Sequence, residues 1–278
     1  MTIIRSLKNI AMPAGLWIYL VISLYPLIYL IFFSLKNNDE IFTTNPLGFP
    51  HPIRFNNYRD AVESFDITLY FKNSLIVTLI SIIAILILSL MFAYASARMT
   101  WKLRSFANSY ILIGLFIPTQ VILIPLAVFV RDMGISNTYL GLILPYVAFN
   151  LAFSSLIFYS FFRTIPMEIE ESAFMDGASI YRTFLQIMLP LVQPAVATVT
   201  IFSFMNVWNE FTLSLILATK ESIKTLPIGL LSFTGQYATN WGPMGAAMVL
   251  SSIPVIVVYL ILGDQVEKAL TVGSAVKG

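Results

Sequence analysis

Six long stretches without Asp, Glu, Lys or Arg run through this chain, and they restrict its fold more than any motif does. They extend from Asn9 to Leu35, Asn73 to Ala97, Ser105 to Val130, Met133 to Phe162, Thr183 to Asn209 and Thr225 to Gly263. A Lys, Arg or Asp at the centre of a membrane helix costs about 2.5 to 3.5 kcal/mol on an insertion scale. A charge-free run longer than roughly 20 residues therefore reads as a helix able to cross about 30 Å of hydrocarbon. The expectation is an all-α membrane protein with six transmembrane helices, near residues 10–35, 72–97, 105–130, 138–162, 190–217 and 243–263. Residues 1–278 then form a single transmembrane domain.

The composition agrees and removes several function classes. The chain is 58% hydrophobic and 11% charged, far from the roughly 25% charged residues of soluble domains. A net charge of +2 leaves no basic surface large enough for nucleic acid, so membrane lipid, not nucleic acid, is the expected surrounding. With no cysteine there is no thiolate zinc site, iron–sulfur cluster or disulfide frame. The single histidine, His51, sits in a polar loop, and no span carries paired Asp, HExxH or a Ser with a base. No catalytic residue and no metal site are expected. No GxxxxGK[ST] loop is present either, so any work taken from ATP has to be done by another chain.

The first charge-free run is too long for the apolar core of a signal peptide, carries Pro13 and Pro26, and ends in Phe32-Phe33-Ser34-Leu35 without a small-residue cleavage site. It is read as a retained helix. The basic cluster Arg98, Lys102 and Arg104 around Trp101 places the loop after the second helix in the cytoplasm, and an even number of spans puts both termini there too. Outside, the loop from about Lys36 to Phe71 contains Asn45-Pro46, Gly48, Pro50 and Pro52, which break regular structure. It is either a solvated connector or the base of a short helix starting at Asn56-Asn57-Tyr58-Arg59.

The inner loop 163–190 has a chemistry of its own. Pro166 suits a first helical turn, and Glu168, Glu170 and Glu171 lie near the positive end of that helix. Gly177 can take positive φ and stop the helix, and Ser179 can cap a second one. Ile165, Ile169 and Ala173 share one face, leaving Glu170 and Glu171 to project from the others. An acidic helix with a narrow apolar edge suits a cleft on another protein, whereas an amphipathic loop resting on lipid expects Lys and Arg on its polar face.

These residues resemble the loop that membrane subunits of ABC importers present to their ATPases: Glu-Ala-Ala, three residues, Gly, nine residues, Ile-x-Leu-Pro. Glu171, Ser172, Ala173, Gly177, Ile187, Leu189 and Pro190 occupy those places, with Ser172 the one departure. Further stretches resemble the carbohydrate branch of these permeases, of the maltose-transporter type. They are Ile117-Pro118-Thr119-Gln120 with Pro125, Met133 to Tyr146, Asp176-Gly177-Ala178-Ser179, Trp208-Asn209-Glu210-Phe211, Thr225 to Gly229, Gly235-Gln236-Tyr237 with Trp241, and the ending Gly273 to Gly278.

The resemblance implies the type I ABC importer transmembrane fold and a set of partners. These are a second, paralogous permease, two copies of an ABC ATPase that bind ATP and magnesium, and an extracellular or periplasmic sugar-binding protein. It implies the plasma membrane of a bacterium or archaeon, and a coupling role for Glu170, Glu171, Ser172, Ala173, Asp176, Gly177, Ile187, Leu189 and Pro190. It also implies that Gln236, Tyr237, Asn240 and Trp241 reach the binding protein, although so short a segment also suits a plain connector.

Within the spans the polar groups are neutral, apart from Glu210 at the edge of a charge-free run. Gln120, Asn150, Asn206 and Asn209 can bond hydroxyls and Trp208 can stack on a sugar ring, so with Glu210 they are the candidate pathway residues. Amides in membrane helices also bond neighbouring helices, and that alternative stays open. Pro118, Pro125, Pro190 and Pro194 permit kinks. The competing class, a self-sufficient secondary transporter, requires inverted repeats or a charged midplane site, and neither is visible.

Overall fold

A computed structural model describes residues 2–64, 66–235 and 239–275. The α-helices are α1 (Thr2–Ser34), α2 (Asn56–Ser64), α3 (Ile67–Arg98), α4 (Arg104–Ile113), α5 (Thr119–Asp132), α6 (Tyr139–Thr164) and α7 (Met167–Met175). They continue as α8 (Ile180–Thr183), α9 (Leu189–Leu191), α10 (Gln193–Trp208), α11 (Thr212–Leu217), α12 (Leu226–Gly229) and α13 (Trp241–Ala275). Among the described residues the only extended pairing is an isolated bridge between Thr234 and Thr239.

Among the described residues four helical stretches are long and apolar enough to cross a membrane: Met12–Ser34, Ile67–Arg98, Tyr139–Thr164 and Trp241–Glu267. Two bent pairs bring the number to six if each counts as one span. Arg104–Phe116 meets Thr119–Asp132 at 105°, and Ile180–Leu191 meets Gln193–Trp208 at 74°.

The third and fifth helices expected from the sequence as continuous, 105–130 and 190–217, are therefore broken, and proline chemistry accounts for it. Pro118 drives Ile117 to ψ 110° and itself sits at ψ 126°, both extended. Pro190 has no N–H to return to the preceding turn, and a π-helical turn at Phe184–Met188 takes up the mismatch. Val192 then leaves the helix at ψ 12° just before Pro194. Beyond Trp208, the residues 209–211 separate α10 from α11.

The chain forms two compact units, Met1–Thr68 with Gly229–Ile253, and Leu69–Ile228 with Pro254–Gly278. In the first unit the segment after α1 is folded and a short helix, α2, starts at Asn56, which decides between the two expectations for it. Lys36 is buried and its Nζ donates to the carbonyls of Asn45 and Pro46 at 2.7 and 3.2 Å. Asn57, at the start of α2, donates through Nδ2 to the carbonyls of Ser34 and Lys36 at 2.8 and 2.9 Å. These bonds satisfy backbone groups that α1 leaves open at its end. Against this end packs the start of α13, where a Cβ on Gly242 would lie 2.4 Å from the Lys36 carbonyl oxygen. Only glycine permits that approach.

The second unit carries a larger core. Val77, Ile85 and Tyr94 of α3, Leu142, Tyr146, Phe158 and Phe162 of α6, and Val192, Ala195, Val199 and Val207 around α10 are all buried in one cluster. Asn73 joins distant parts of this unit. Its Nδ2 donates to the Ser222 and Lys224 carbonyls at 3.0 and 2.9 Å, and its Oδ1 accepts from the Tyr139 hydroxyl at 2.7 Å. At the head of α6, Thr138 accepts from the Gly141 N–H at 3.2 Å, an N-cap.

Candidate functional site: an exposed helical turn and a polar cavity

Both features lie in the second unit. The segment 163–190 has the helix, turn, helix form expected from its sequence. Pro166 precedes α7, and the helix ends where Gly177 takes φ +79°. The Ala178 N–H bonds the Ala173 carbonyl at 2.9 Å and the Gly177 N–H bonds the Phe174 carbonyl at 3.0 Å, the paired bonds of a Schellman stop. Ser179 Oγ accepts from the Arg182 N–H at 3.3 Å and caps α8.

The coupling candidates divide by exposure. Glu171, Ser172, Asp176, Gly177 and Pro190 are exposed, Ile187 and Leu189 are half-buried, and Ala173 is buried. Met175, 87% exposed, and Phe174 stand beside the acids, so the turn offers apolar surface and negative charge together. Ser172 closes its hydroxyl on the Glu168 carbonyl at 2.7 Å and remains compatible with a close helix contact.

Glu170 differs from the sequence expectation, which had it projecting outward with Glu171. It is 4% exposed, accepts from the Tyr94 hydroxyl at 2.8 Å, and pairs with Arg98 Nε at 3.1 Å. Burial of the Ala173 face turns the preceding acid toward α3, where a guanidinium and a phenol compensate its charge. Tyr94 and Arg98 were not among the candidates, and only the four-residue spacing of a basic and a phenolic group on one helix face hinted at them.

A cavity of about 280 Å³ lies among α5, α6, α10 and the start of α11. It brings together four of the six candidate pathway residues, Gln120, Asn150, Asn206 and Glu210, with the rings of Phe149 and Phe153 beside them. Trp208 and Asn209 do not line it. Trp208 is buried, stacked on Phe204 at 5.5 Å and edge-on to Phe71 at 5.4 Å, while exposed Asn209 donates to the Met205 carbonyl at 2.9 Å.

The Glu210 carboxylate is held from three sides. It accepts from the N–H groups of Leu213 and Ser214 at 2.8 and 3.0 Å, at the first turn of α11, and from the Tyr146 hydroxyl at 3.0 Å. Its charge answers the open amides of that helix start, so the cavity wall is dominated by neutral amides and rings.

In the first unit, Asn240 is exposed and Trp241 is half-buried, its ring edge-on to Phe33 and Phe42 at 6.4 and 5.5 Å. The other two candidates for binding-protein contact, Gln236 and Tyr237, lie outside the described residues.

Comparison with known proteins gives this architecture its class. Residues 85–272 match the family model described as "Binding-protein-dependent transport system inner membrane component", and the chain belongs to that family. It is a multi-pass membrane component of an ABC importer. A putative ABC transporter permease protein of a Caldicellulosiruptor strain is 36% identical over 253 residues, covering 91% of each chain. A diacetylchitobiose uptake system permease protein of Streptomyces coelicolor is 35% identical, covering 94% of this chain and 87% of that protein. A sulfoquinovosyl glycerol transport system permease protein of Agrobacterium fabrum is 34% identical over 92% and 90%.

Among solved structures, a chain of a bacterial ABC transporter involved in import of the acidic polysaccharide alginate superposes with a TM-score of 0.81. It covers 94% of this chain and 97% of its own, at 23% identity. A second alginate transporter structure, in complex with an alginate pentasaccharide-bound periplasmic protein, gives 0.66 at 18% identity over 94% of each chain. At those identities the likeness establishes the fold, the type I importer transmembrane fold, and nothing about cargo.

Proposed function

We propose that this chain is one of two paralogous permease subunits of an ABC sugar importer, acting as one transmembrane domain that carries no catalysis of its own. An external sugar-binding protein delivers cargo, and two ATPase subunits, which hold the ATP and magnesium, drive the change of access. Both termini and the 163–190 loop face the cytoplasm of a bacterial or archaeal cell, as the Arg98, Lys102, Arg104 cluster supports. The family's reliance on binding proteins and the sugar-uptake names of relatives such as the Streptomyces protein support this reading.

The observation that carries it is the exposed turn at Glu171, Asp176 and Gly177, with Met175 beside it, mounted on a rigid helical stop. An ATPase groove with basic and apolar walls would receive it. The coupling residues then divide into contacts (Glu171, Ser172, Asp176, Gly177) and supports (Glu170, Ala173, Ile187, Leu189, Pro190). ATP-driven closure moves this loop, and because the loop is continuous with α6 and α10 it re-angles both.

The cavity bounded by Gln120, Asn150 and Asn206 contributes part of the pathway, with Glu210 as a half-buried brace and the partner permease completing it. Its amides and rings suit a neutral sugar better than an anionic one, since no basic side chain lines it. Asn240 and Trp241, with Gln236 and Tyr237, are proposed to face the binding protein.

The test is affinity purification of the tagged chain from its native membrane in mild detergent, with stoichiometry of what co-purifies. A second permease and two ATPase copies are expected for the wild type, and Glu171→Arg should release the ATPases while leaving the permease pair. Recovery of the chain alone after cross-linking would overturn the proposal.

A further inference from the structure

A buried cluster of ionisable groups stands behind the docking turn. The Glu170 carboxylate on α7 meets the last turn of α3, Oε1 accepting from the Tyr94 hydroxyl at 2.8 Å and Oε2 in an ion pair 3.1 Å from Arg98 Nε, whose N–H is not aligned to donate to it. The Arg98 and Glu170 side chains are 4% and 6% exposed, so neither charge is shared with water. The remaining guanidinium nitrogens reach back to the loop, Nη2 donating to the Ile165 carbonyl and Nη1 resting on the Met167 sulfur.

The Ile165 carbonyl belongs to the residue that caps α6, and Pro166 follows it. One guanidinium thus closes the C-terminal end of α6, sits at the C-terminal end of its own helix α3, and pairs with an acid in the first turn of α7. The cation at the C-terminal ends of α6 and α3 and the acid in the first turn of α7 are each favourably placed with respect to the helix dipoles. Rings complete the joint, Tyr94 lying 5.5 Å from Phe162 and 4.9 Å from Phe184.

We infer that Glu170, Arg98 and Tyr94 form a clamp that carries the displacement of the coupling loop into α3. The inference rests on the coupling role proposed for segment 163–190 and extends it. Chain continuity alone would drive only the helices next to the loop, α6 and α10. The clamp adds a third, and α3 is among the longest apolar spans of the chain. A buried pair is suited to this task because its partners cannot exchange for water: pulling α7 from α3 strands both charges in low dielectric. An exposed pair would slip under the same load. Glu170 is therefore a positioning residue that acts through α3, and the ATPase is met by Glu171 and the turn beyond it.

The experiment uses the assembled transporter in proteoliposomes. Because the chain lacks cysteine, Ile87→Cys on α3 and Glu168→Cys on α7, outside the proposed docking contacts, add one spin-label site to each helix, both exposed. Glu170→Gln is expected to retain the ATPases at wild-type stoichiometry and still hydrolyse ATP. Sugar moved per ATP should fall about tenfold, the scale of one charge-assisted hydrogen bond, and the Ile87–Glu168 distance distribution should broaden. Tyr94→Phe should shift both readouts in the same sense by less.

A wild-type coupling ratio with an unchanged distance distribution in Glu170→Gln overturns the clamp. So does loss of the ATPases with an unchanged distribution, which would place Glu170 at the docking surface. Should Glu170→Gln fail to accumulate, Tyr94→Phe decides, and wild-type values in both of its readouts reject the inference. The distance measurement needs no ATPase and so reports on the clamp even if the coupling role itself fails, a failure that Glu171→Arg with undiminished ATPase capture would reveal.

Discussion

Gly177 allows the docking turn to be perturbed in two separable ways. Its φ of +79° lies where an L-residue pays about 1–2 kcal/mol. A Cβ built on it meets nothing within 4 Å, so no internal clash is added. Gly177→Ala should therefore cost about 1 kcal/mol, a shift of roughly fivefold in how often the turn is formed. Burial of Ala173 and the bond that Glu170 accepts from Tyr94 remain to hold α7 in place.

The open space around Gly177 is where a partner surface would seat, so a larger charged side chain acts on docking more than on folding. Gly177→Asp should insert and unfold thermally close to the alanine variant, yet lose ATPase capture and transport. Gly177→Ala should keep part of both. The assay is parallel measurement of membrane accumulation, thermal unfolding and ATPase co-purification for the two variants. Wild-type transport by Gly177→Asp, or loss of accumulation in Gly177→Ala, would refute the reasoning.

Gly141 gives the opposite outcome for the same substitution, because a Cβ there would lie 2.4 Å from the Ile135 backbone oxygen. Gly141→Ala must displace the start of α6 and should lower the unfolding temperature well beyond Gly177→Ala, by fluorescence-monitored melting. Asn73→Leu leaves the Ser222 and Lys224 carbonyls and the Tyr139 hydroxyl without their partner, and should destabilise the protein by about 1–3 kcal/mol per stranded group that water cannot reach. Chemical unfolding in detergent measures this.

Lys224, then the Tyr70 hydroxyl, hold the exposed Glu221 carboxyl below its ordinary value. That stabilisation is complete above the unfolded carboxylate pKa of about 4.3 and disappears as pH falls through the lowered folded value. Solvent screening keeps it small. Glu221→Gln should flatten the acid limb of stability against pH, and an unchanged limb would contradict the assignment.

Much of this architecture was legible because its causes are local. Four of the charge-free runs coincide with long apolar helices and two with bent helix pairs, whose breaks fall beside prolines that the sequence reads only as permitting kinks, and the Pro166, Gly177 and Ser179 signals mark the helix, turn, helix of the loop. What stayed hidden depends on pairing at a distance. Glu170 and Tyr94 are 76 residues apart, and periodicity on α7 alone cannot tell which of two adjacent acids finds a cation across a helix interface. Asn73 similarly meets groups about 150 residues away, and its amide reads in sequence like any other membrane asparagine. Lys36 falls in a segment whose prolines suggest a connector, and its burial follows from two carbonyls that no pattern announces. The cavity was half legible. Polar residues in apolar runs named Gln120, Asn150, Asn206 and Glu210, but Trp208 went into the core beside Phe204 and Phe71.

The central claim is that this chain moves sugar only when partner ATPases act through the 163–190 loop. Its most direct test is uptake of a labelled neutral oligosaccharide into proteoliposomes holding the purified transporter, with the binding protein added outside and ATP sealed inside. Uptake should require ATP, binding protein and an intact Glu171, and should ignore an imposed ion gradient. Uptake by this chain alone, driven by that gradient without ATP, would contradict the account.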